Sequence, residues 1–301
     1  MKNKSFTLIE ILVVIIIVGI LASIIIFSTN DSTEKRKRLE VLTFSEGAKG
    51  KNLDSLVAEW SFEGPTIAGS AATNADVKDS WGHNDGIVYG GPIIKGGEDC
   101  VTGKCLQFDG VDDYINMGQG ASDSLKILGS QTIEYWGYPT DFAQRRNPIA
   151  KAYGGEGTIV QETGGYFNYY YGTAGGNTTP YQALSSSAVR IKANEWVHVV
   201  IVRDLDPAVK KIIWYINGKQ VNSATTIYTS AVASTLSFYI AKGYCSNFIG
   251  KMDQVRIYKK AITTSEIKQN YIAGLDSLYS NNVISKEEYN QRTLNLAQNE
   301  E

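Results

Sequence analysis

The chain has 301 residues, with 29 Lys+Arg against 31 Asp+Glu and a formal net charge of -2. At 20% charged and 43% apolar residues it is neither a disordered polyelectrolyte nor a multi-span membrane protein. The near balance of charge lacks the basic excess of a nucleic-acid binder, so no nucleic acid is expected as a partner.

Met1-Lys2-Asn3-Lys4-Ser5 is short, polar and basic, and Phe6 to Phe27 follows as an apolar run whose only charge is Glu10. As a helix that run is about 33 Å long, enough to cross the hydrocarbon core of a bilayer. It is apolar all round, unlike the one-faced helix of a soluble core. It exceeds the ~7–15 apolar residues of a cleavable secretory signal and ends in no small-x-small site. Lys2 and Lys4 favour a cytoplasmic amino terminus, but Lys35-Arg36-Lys37-Arg38 lies beyond the other end, so charge alone leaves orientation open. A carboxylate at Glu10 costs at least ~2.5 kcal/mol inside a membrane and calls for a partner, or else for a place at the hydrated interface.

Lys4-Ser5-Phe6-Thr7-Leu8-Ile9-Glu10 with its apolar run resembles the amino terminus of type IV prepilins and type II secretion pseudopilins. The resemblance implies cleavage by a prepilin peptidase between Ser5 and Phe6, methylation of the new amino group, and assembly with other pilin or pseudopilin subunits. It makes Glu10 the assembly glutamate. The chemistry is consistent: cleavage leaves a cation at Phe6 that can neutralise Glu10 of a packed neighbour in a low dielectric. Ser5 departs from the family, which usually has Gly before the cut. Residues 1–5 are thus read as a leader and 6–52 as one long helix, with 6–27 in the cytoplasmic membrane. Leu39 and Leu42 keep the helical spacing, and Gly47 and Gly50 mark its fraying end. The basic run at 35–38 reads as a solvated helix face or a site for lipid headgroups.

From Val57 the rhythm changes to period two. VAEWSF, KCLQFDG, DYINMG, TIEYWGY, GTIVQE, YFNYYYG, EWVHVVIVRD, KIIWYINGKQV, STLSFYIAK and GKMDQVRIYK are separated by Gly, Asn and Asp clusters. Many short strands at this spacing predict a mainly β fold, an antiparallel β-sandwich or jelly roll. Asn217-Gly218 predicts a tight hairpin. Absence of strand–helix alternation argues against a parallel α/β sheet.

The segments Trp60-Ser61-Phe62-Glu63, Asp79-Ser80-Trp81-Gly82, Leu106 to Tyr114 (LQFDGVDDY), Thr132 to Trp136 (TIEYW), Glu195 to His198 (EWVH), Tyr215 to Gly218 (YING) and Met252 to Tyr258 (MDQVRIY) resemble the laminin G-like, concanavalin A-like lectin/glucanase superfamily. They cover residues 57–272 in the family's order. Trp81 stands where Ser or Asn is usual, and Gln254 replaces a common acidic residue.

Glycosidases of that superfamily set two carboxylates on one strand face, about 5–5.5 Å apart in retaining enzymes. Here Glu134 has no partner at plus two or plus five. His83 falls in a turn, His198 reads as a packed strand residue, and no phosphate loop or Ser/His/Asp pattern emerges. Catalysis is therefore not expected. Binding is the better class, with a glycan or a surface protein as ligand. Asp109, Asp112 and Asp113, with Asp79 and Asp253, supply oxygens suited to Ca²⁺, the one cofactor weighed. The alternative is that Asp79 and Asp109 close turns through their own backbone. Tyr166 and Tyr170 share one face of the YFNYYYG strand, with Phe167, Tyr169 and Tyr171 on the other. One face should be core; the other offers a stacking platform for a sugar ring, or plain sheet surface.

Cys100 and Cys105 enclose Val-Thr-Gly-Lys and suit a disulfide clip in an exported head, which leaves Cys245 over. Thr263-Thr264-Ser265-Glu266 and Ser285-Lys286-Glu287-Glu288 are capping boxes. Residues 275–301 resemble a small helical hairpin appended to many unrelated proteins, and packing or subunit contact is its expected role.

The whole implies a pilin-like, minor filament subunit, anchored in the cytoplasmic membrane with its N-terminus inside. After assembly it would display a laminin G-like domain outside the cell for adhesion or ligand binding. A pseudopilin of a secretion or DNA-uptake machine with a structural head is one alternative. A membrane-anchored lectin or hydrolase that never assembles is another.

Overall fold

The computed structural model describes residues 54–63, 76–119 and 123–297. The expected leader, the N-terminal helix, Ser5, Phe6 and Glu10 lie outside the described residues. The head is a unit by itself.

Two sheets form a sandwich, and their strands are numbered in chain order. The first sheet holds β1 (Leu56–Trp60), β4 (Ile93–Gly96), β5 (Lys104–Asp109), β7 (Gln131–Pro139), β12 (Val197–Asp204), β13 (Lys211–Ile216), β14 (Lys219–Thr225) and β17 (Ile249–Tyr258). Its order is β14-β13-β12-β7-β17-β5-β4, with β1 also on β17. The second holds β2 (Asp76–Val77), β3 (Gly86–Tyr89), β6 (Tyr114–Gln119), β8 (Arg146–Ala152), β9 (Gly157–Glu162), β10 (Tyr166–Gly172), β11 (Tyr181–Ser185), β15 (Ser237–Ile240) and β16 (Ser246–Asn247). Its order is β11-β10-β9-β8-β15-β6-β3-β2. All pairings are antiparallel except that of β16 with β8. The β-sandwich expectation thus holds, as does the hairpin: β13 and β14 are joined by Asn217 at φ 51° and Gly218 at φ 74°, the pair of left-handed residues a type I′ turn requires.

The core between the sheets is built from inward residues such as Trp60, Phe108, Ile115, Tyr135, Ile159, Phe167 and Trp214. Strand β12 shows why its sequence lacks alternation. Val199 and Ile201 join this core, while Val200 and Val202 pack on the opposite side with Tyr258 and Ile267. The first sheet is covered on both faces, and a strand buried on both faces reads as a continuous apolar run.

The cover is α1 (Thr264–Ser280) and α2 (Lys286–Ala297). Helix α1 opens on the capping box foreseen at Thr263 and Glu266, and the Glu288 N–H donates to Ser285 Oγ at 3.2 Å at the start of α2. Helix α1 is unbroken across residues 272–275, where the sequence pattern sets the end of the sandwich. Gly274 brings it against Trp136; a β-carbon there would overlap the indole. Trp136, Trp196, Tyr271, Leu275, Leu278 and Leu296 make a second apolar cluster that also takes in Cys100 and Cys105. Those two cysteines are disulfide-bonded, as expected, at S–S 2.05 Å. Arg292 donates to the Trp196 carbonyl at 2.8 Å, and Asn281 to that of Val101 at 3.1 Å, fixing the hairpin to the sheet and to the disulfide loop.

Strands β3, β4, β8 and β11 do not announce themselves in the sequence. Strand β8 (RNPIAKA) is buried at every position and contains Pro148, which removes a ladder donor. Strands β3 and β4 have four residues each, too few to establish a period.

Candidate ligand-binding face

With the first sheet roofed by helices, the outer face of the second is the broad surface that no described helix covers. The alternation of β10 sets that face. Phe167, Tyr169 and Tyr171 point inward and are at most 1% exposed, while Tyr166, Asn168 and Tyr170 point outward and are half-buried. The predicted division of the YFNYYYG strand is the observed one. Tyr166 and Tyr170 have different surroundings, however. Arg190 lies over the Tyr166 ring at 4.2 Å. Tyr170 belongs to a cluster: Tyr153 packs on Tyr170, Tyr181 and Tyr244 with ring centroids at 6.5, 5.4 and 4.7 Å, and Tyr170 on Tyr181 at 5.5 Å.

One fork of charge anchors this cluster. Arg145 Nε and Nη2 donate to the two Glu162 oxygens at 2.8 and 2.9 Å. Nη2 also reaches the hydroxyls of Tyr170 at 3.3 Å and Tyr244 at 3.4 Å. Asn168 Nδ2 donates to Glu162 Oε1 at 2.9 Å. The Glu162 carboxylate raises the Arg145 pKa further. Burial pushes the Tyr170 and Tyr244 phenols up, so all three hydroxyl and guanidinium groups are held in hydrogen-bonding form. A bidentate pair of this kind is oriented as well as strong. Aromatic faces ringed by oriented polar groups are what a sugar ring, apolar on its C–H faces and polar at its rim, requires.

A second ring group lies on the same face. Tyr89 stacks on Tyr114 at 4.7 Å, Tyr114 meets Tyr239 at 5.9 Å, and Lys242 Nζ sits 3.7 Å over the Tyr114 ring. Tyr153, Tyr181 and Tyr244 went unnoticed in the sequence because they come from the ends of separate strands and one loop. Only Tyr170 sits in a conspicuous motif.

The five aspartates named for calcium do not form one site. The ligand oxygens of Asp109, Asp112 and Asp113 come within 4.8 Å of one another. Their oxygens are turned on their own loop: Asp109 Oδ1 accepts from the Val111 N–H at 2.8 Å, and Asp113 Oδ2 from the Asp109 N–H at 2.8 Å. Burial, with the charges of Asp109 and Asp112 adding, raises the Asp113 pKa to about 6. This donor set suits a self-closed turn, and no chemistry is routed through a cation. Asp79 closes a different turn, its Oδ1 accepting the N–H groups of Glu59, Trp81 and Gly82 at 2.9, 3.0 and 2.9 Å. Asp253 is fully buried beside the disulfide loop and accepts the Thr102 N–H at 2.9 Å. Burial holds its carboxyl well above the ordinary range. Gln254, the residue that departs from the family, adopts φ 50° at a bulge of β17.

Glu134 faces the helical cover and is 0% exposed. Its oxygens lie 2.7 Å from His198 Nε2, 3.1 Å from the Tyr258 hydroxyl and 3.0 Å from Asn270 Nδ2 of α1. Burial opposes its charge, but the His198 contact and the Arg256 guanidinium outweigh burial and lower its pKa. A carboxylate so enclosed is a structural ion, out of reach of a substrate.

The two-sheet architecture and the strand motifs agree with comparison to known proteins. Residues 109–268 match the model of the concanavalin A-like lectin/glucanases superfamily. The chain belongs to that superfamily. Residues 1–26 match the prokaryotic N-terminal methylation motif, so a type IV pilin-type N-terminus is joined to a lectin-like head. Two curated pilins agree. The type IV major pilin protein PilE1 of Neisseria gonorrhoeae is 31% identical over 110 residues, 35% of this chain and 66% of the pilin. The fimbrial protein of Neisseria meningitidis serogroup B is 32% identical over 76 residues, 25% of this chain and 45% of that protein. The chain thus spans just under two thirds and just under half of these relatives. Among solved structures, domain 4 of the GH43 extracellular arabinanase AbnA from Geobacillus stearothermophilus, in complex with arabinotriose, superposes with TM-score 0.54 at 19% identity. That match covers 71% of this chain and 97% of the domain. The binding domain of Paraclostridial Mosquitocidal Protein 1 gives 0.56 at 16%, covering 74% of this chain and 53% of that one. These matches describe the fold. No helix among the described residues is long and apolar enough to cross a membrane; residues 6–27 lie outside them.

Proposed function

We propose that the protein is a pilin-like filament subunit that presents its lectin-like head outside the cell, where the head binds carbohydrate without cleaving it. The observation that carries the reading is the Tyr153–Tyr170–Tyr181–Tyr244 cluster with its Arg145–Glu162 fork on the uncovered sheet face. The methylation motif supports processing by a prepilin peptidase before Phe6, membrane anchoring, and assembly with other pilins through Glu10. The arabinotriose held by the AbnA domain supports a sugar as ligand for a head of this fold. Enclosure of Glu134 supports binding over catalysis.

The test is a glycan array probed with full-length protein in a sugar-free detergent. Wild type binds a defined set of glycans, while Tyr170→Ala and Tyr181→Ala lose that binding and keep their folded circular dichroism. Failure of wild type to bind any glycan, or unchanged binding by both variants, rejects the reading.

A further inference from the structure

We propose that the outer side of the second sheet is a two-subsite platform for a linear glycan lying across the strands, with Tyr170 in one subsite and Tyr239 in the other; this rests on the carbohydrate reading above. Strand register carries the argument. Ile87 pairs with Asn116, Asn116 with Tyr239, Tyr239 with Ala150, Ala150 with Thr158, Thr158 with Tyr170, and Tyr170 with Ala183. These residues form one row perpendicular to seven strands. Directly opposed residues of a sheet share a face, and Tyr170 identifies it as the outer one.

Tyr239 and Tyr170 are three strand spacings apart, or about 14 Å at about 4.8 Å per strand. Between them stand Ala150 and Thr158, each 1% exposed, so the seam between the two aromatic groups is filled and a glycan that spans them lies over it. A disaccharide fills one group, and a chain of four rings is needed to touch both. The loop after β15 ties the subsites together, with Lys242 placed over Tyr114 on one side and Tyr244 against Tyr153 on the other. It is pinned from beneath, where Asn147 Oδ1 accepts the Cys245 N–H at 2.7 Å and Asn147 Nδ2 donates to the Ile159 carbonyl at 2.9 Å. The spacing of the two aromatic groups is therefore set by the sheet and one anchored turn.

Polar groups are distributed to match. Lys242 has no ion pair among the described residues and offers its ammonium at the Tyr239 subsite, while Asn168 and the Arg145 fork serve the Tyr170 subsite. An extended peptide has less reason to choose this surface. Main-chain pairing happens at a sheet edge, and a sheet face offers no free backbone donors.

The experiment is isothermal calorimetry of the full-length protein in a sugar-free detergent. The probes are linear gluco-, xylo- and arabino-oligosaccharides from disaccharide to hexasaccharide. In the series that binds, affinity rises about tenfold from disaccharide to tetrasaccharide, the effect of one further aromatic stack, and then levels. Tyr239→Ala abolishes that gain, Tyr239→Phe keeps it, and Tyr170→Ala weakens every length. Binding that is independent of length, or a length gain that survives Tyr239→Ala, overturns the two-subsite platform and leaves the carbohydrate reading standing. No binding by any series overturns the platform, and a silent glycan array then rejects the carbohydrate reading as well.

Discussion

Gly274 and Trp136 touch backbone to indole, and this contact sets how closely α1 lies on the first sheet. Two effects compete at residue 274. Alanine favours a helix over glycine by about 1 kcal/mol, whereas forcing a methyl into a packed interface costs about 1–3 kcal/mol. The rigid indole cannot yield, so the second wins: Gly274→Ala lowers stability by about 1–2 kcal/mol in chemical denaturation. A Gly274→Ala protein more stable than wild type would show that the helix does not pack this tightly.

Glu134 and His198 hold each other inside the same interface, 2.7 Å apart and both buried. Removing one partner strands the other, at a cost of about 3–5 kcal/mol. His198→Gln and Glu134→Gln should each destabilise by that order, and the double variant by much less than their sum. A double-mutant cycle with no coupling would contradict the pairing.

Asp113 gives the head a pH dependence of known sign. Its pKa in the folded protein, about 6, lies above the ordinary value of 3.8. The folded state therefore binds the proton more tightly, and this group's contribution falls as pH rises from about 4 through 6. Asp113→Asn keeps an oxygen for the Asp109 N–H and removes the charge. It should raise the melting temperature by about 2–4 °C at pH 7, with the advantage gone below pH 4.

The Cys100–Cys105 disulfide closes a short loop whose Val101 carbonyl receives Asn281 of the helical hairpin. Chain entropy for so small a ring gives about 2 kcal/mol. The Cys100→Ser/Cys105→Ser double variant should lose about that much, and hydrogen exchange should quicken around residues 278–284 before it does in the sandwich core. Uniform acceleration everywhere would deny the link between loop and hairpin.

At the amino terminus, coexpression with a prepilin peptidase should shorten the protein by five residues and add one methyl at Phe6, read by intact mass. Glu10→Ala should be cleaved normally yet fail to enter filaments. Incorporation of that variant at wild-type levels would remove Glu10 from assembly.

Much of this molecule is legible in its sequence. Alternation in DYINMG and YFNYYYG, the Asn217-Gly218 turn and the Thr263–Glu266 capping box each state a local rule that the structure obeys. Strand β8 escapes that logic because burial on two sides erases the period, whereas β12, buried on both faces as well, is read as a strand from its run EWVHVVIVRD. The proposed ligand face was legible only at Tyr170. Tyr153, Tyr181 and Tyr244 meet it through register and loop geometry, which no local pattern encodes. The aspartates illustrate the converse. Asp79, Asp109 and Asp253 look like a donor set in sequence, yet two of them cap backbone turns and the third is walled in beside the disulfide.

Strand β1 pairs with β17, so Glu59 meets Arg256 across almost 200 residues of chain. A sheet closed by so distant a pairing waits for a costly loop closure. During synthesis β7 and β12 emerge before β17 and α1, so Trp136, Trp196 and Val200 lack the cover they have in the folded head until those elements follow. The window before residue 280 emerges is therefore when this head is most open to aggregation and most in need of a chaperone. Truncations within α1 should be lost to proteolysis, whereas substitutions on the tyrosine face should accumulate normally.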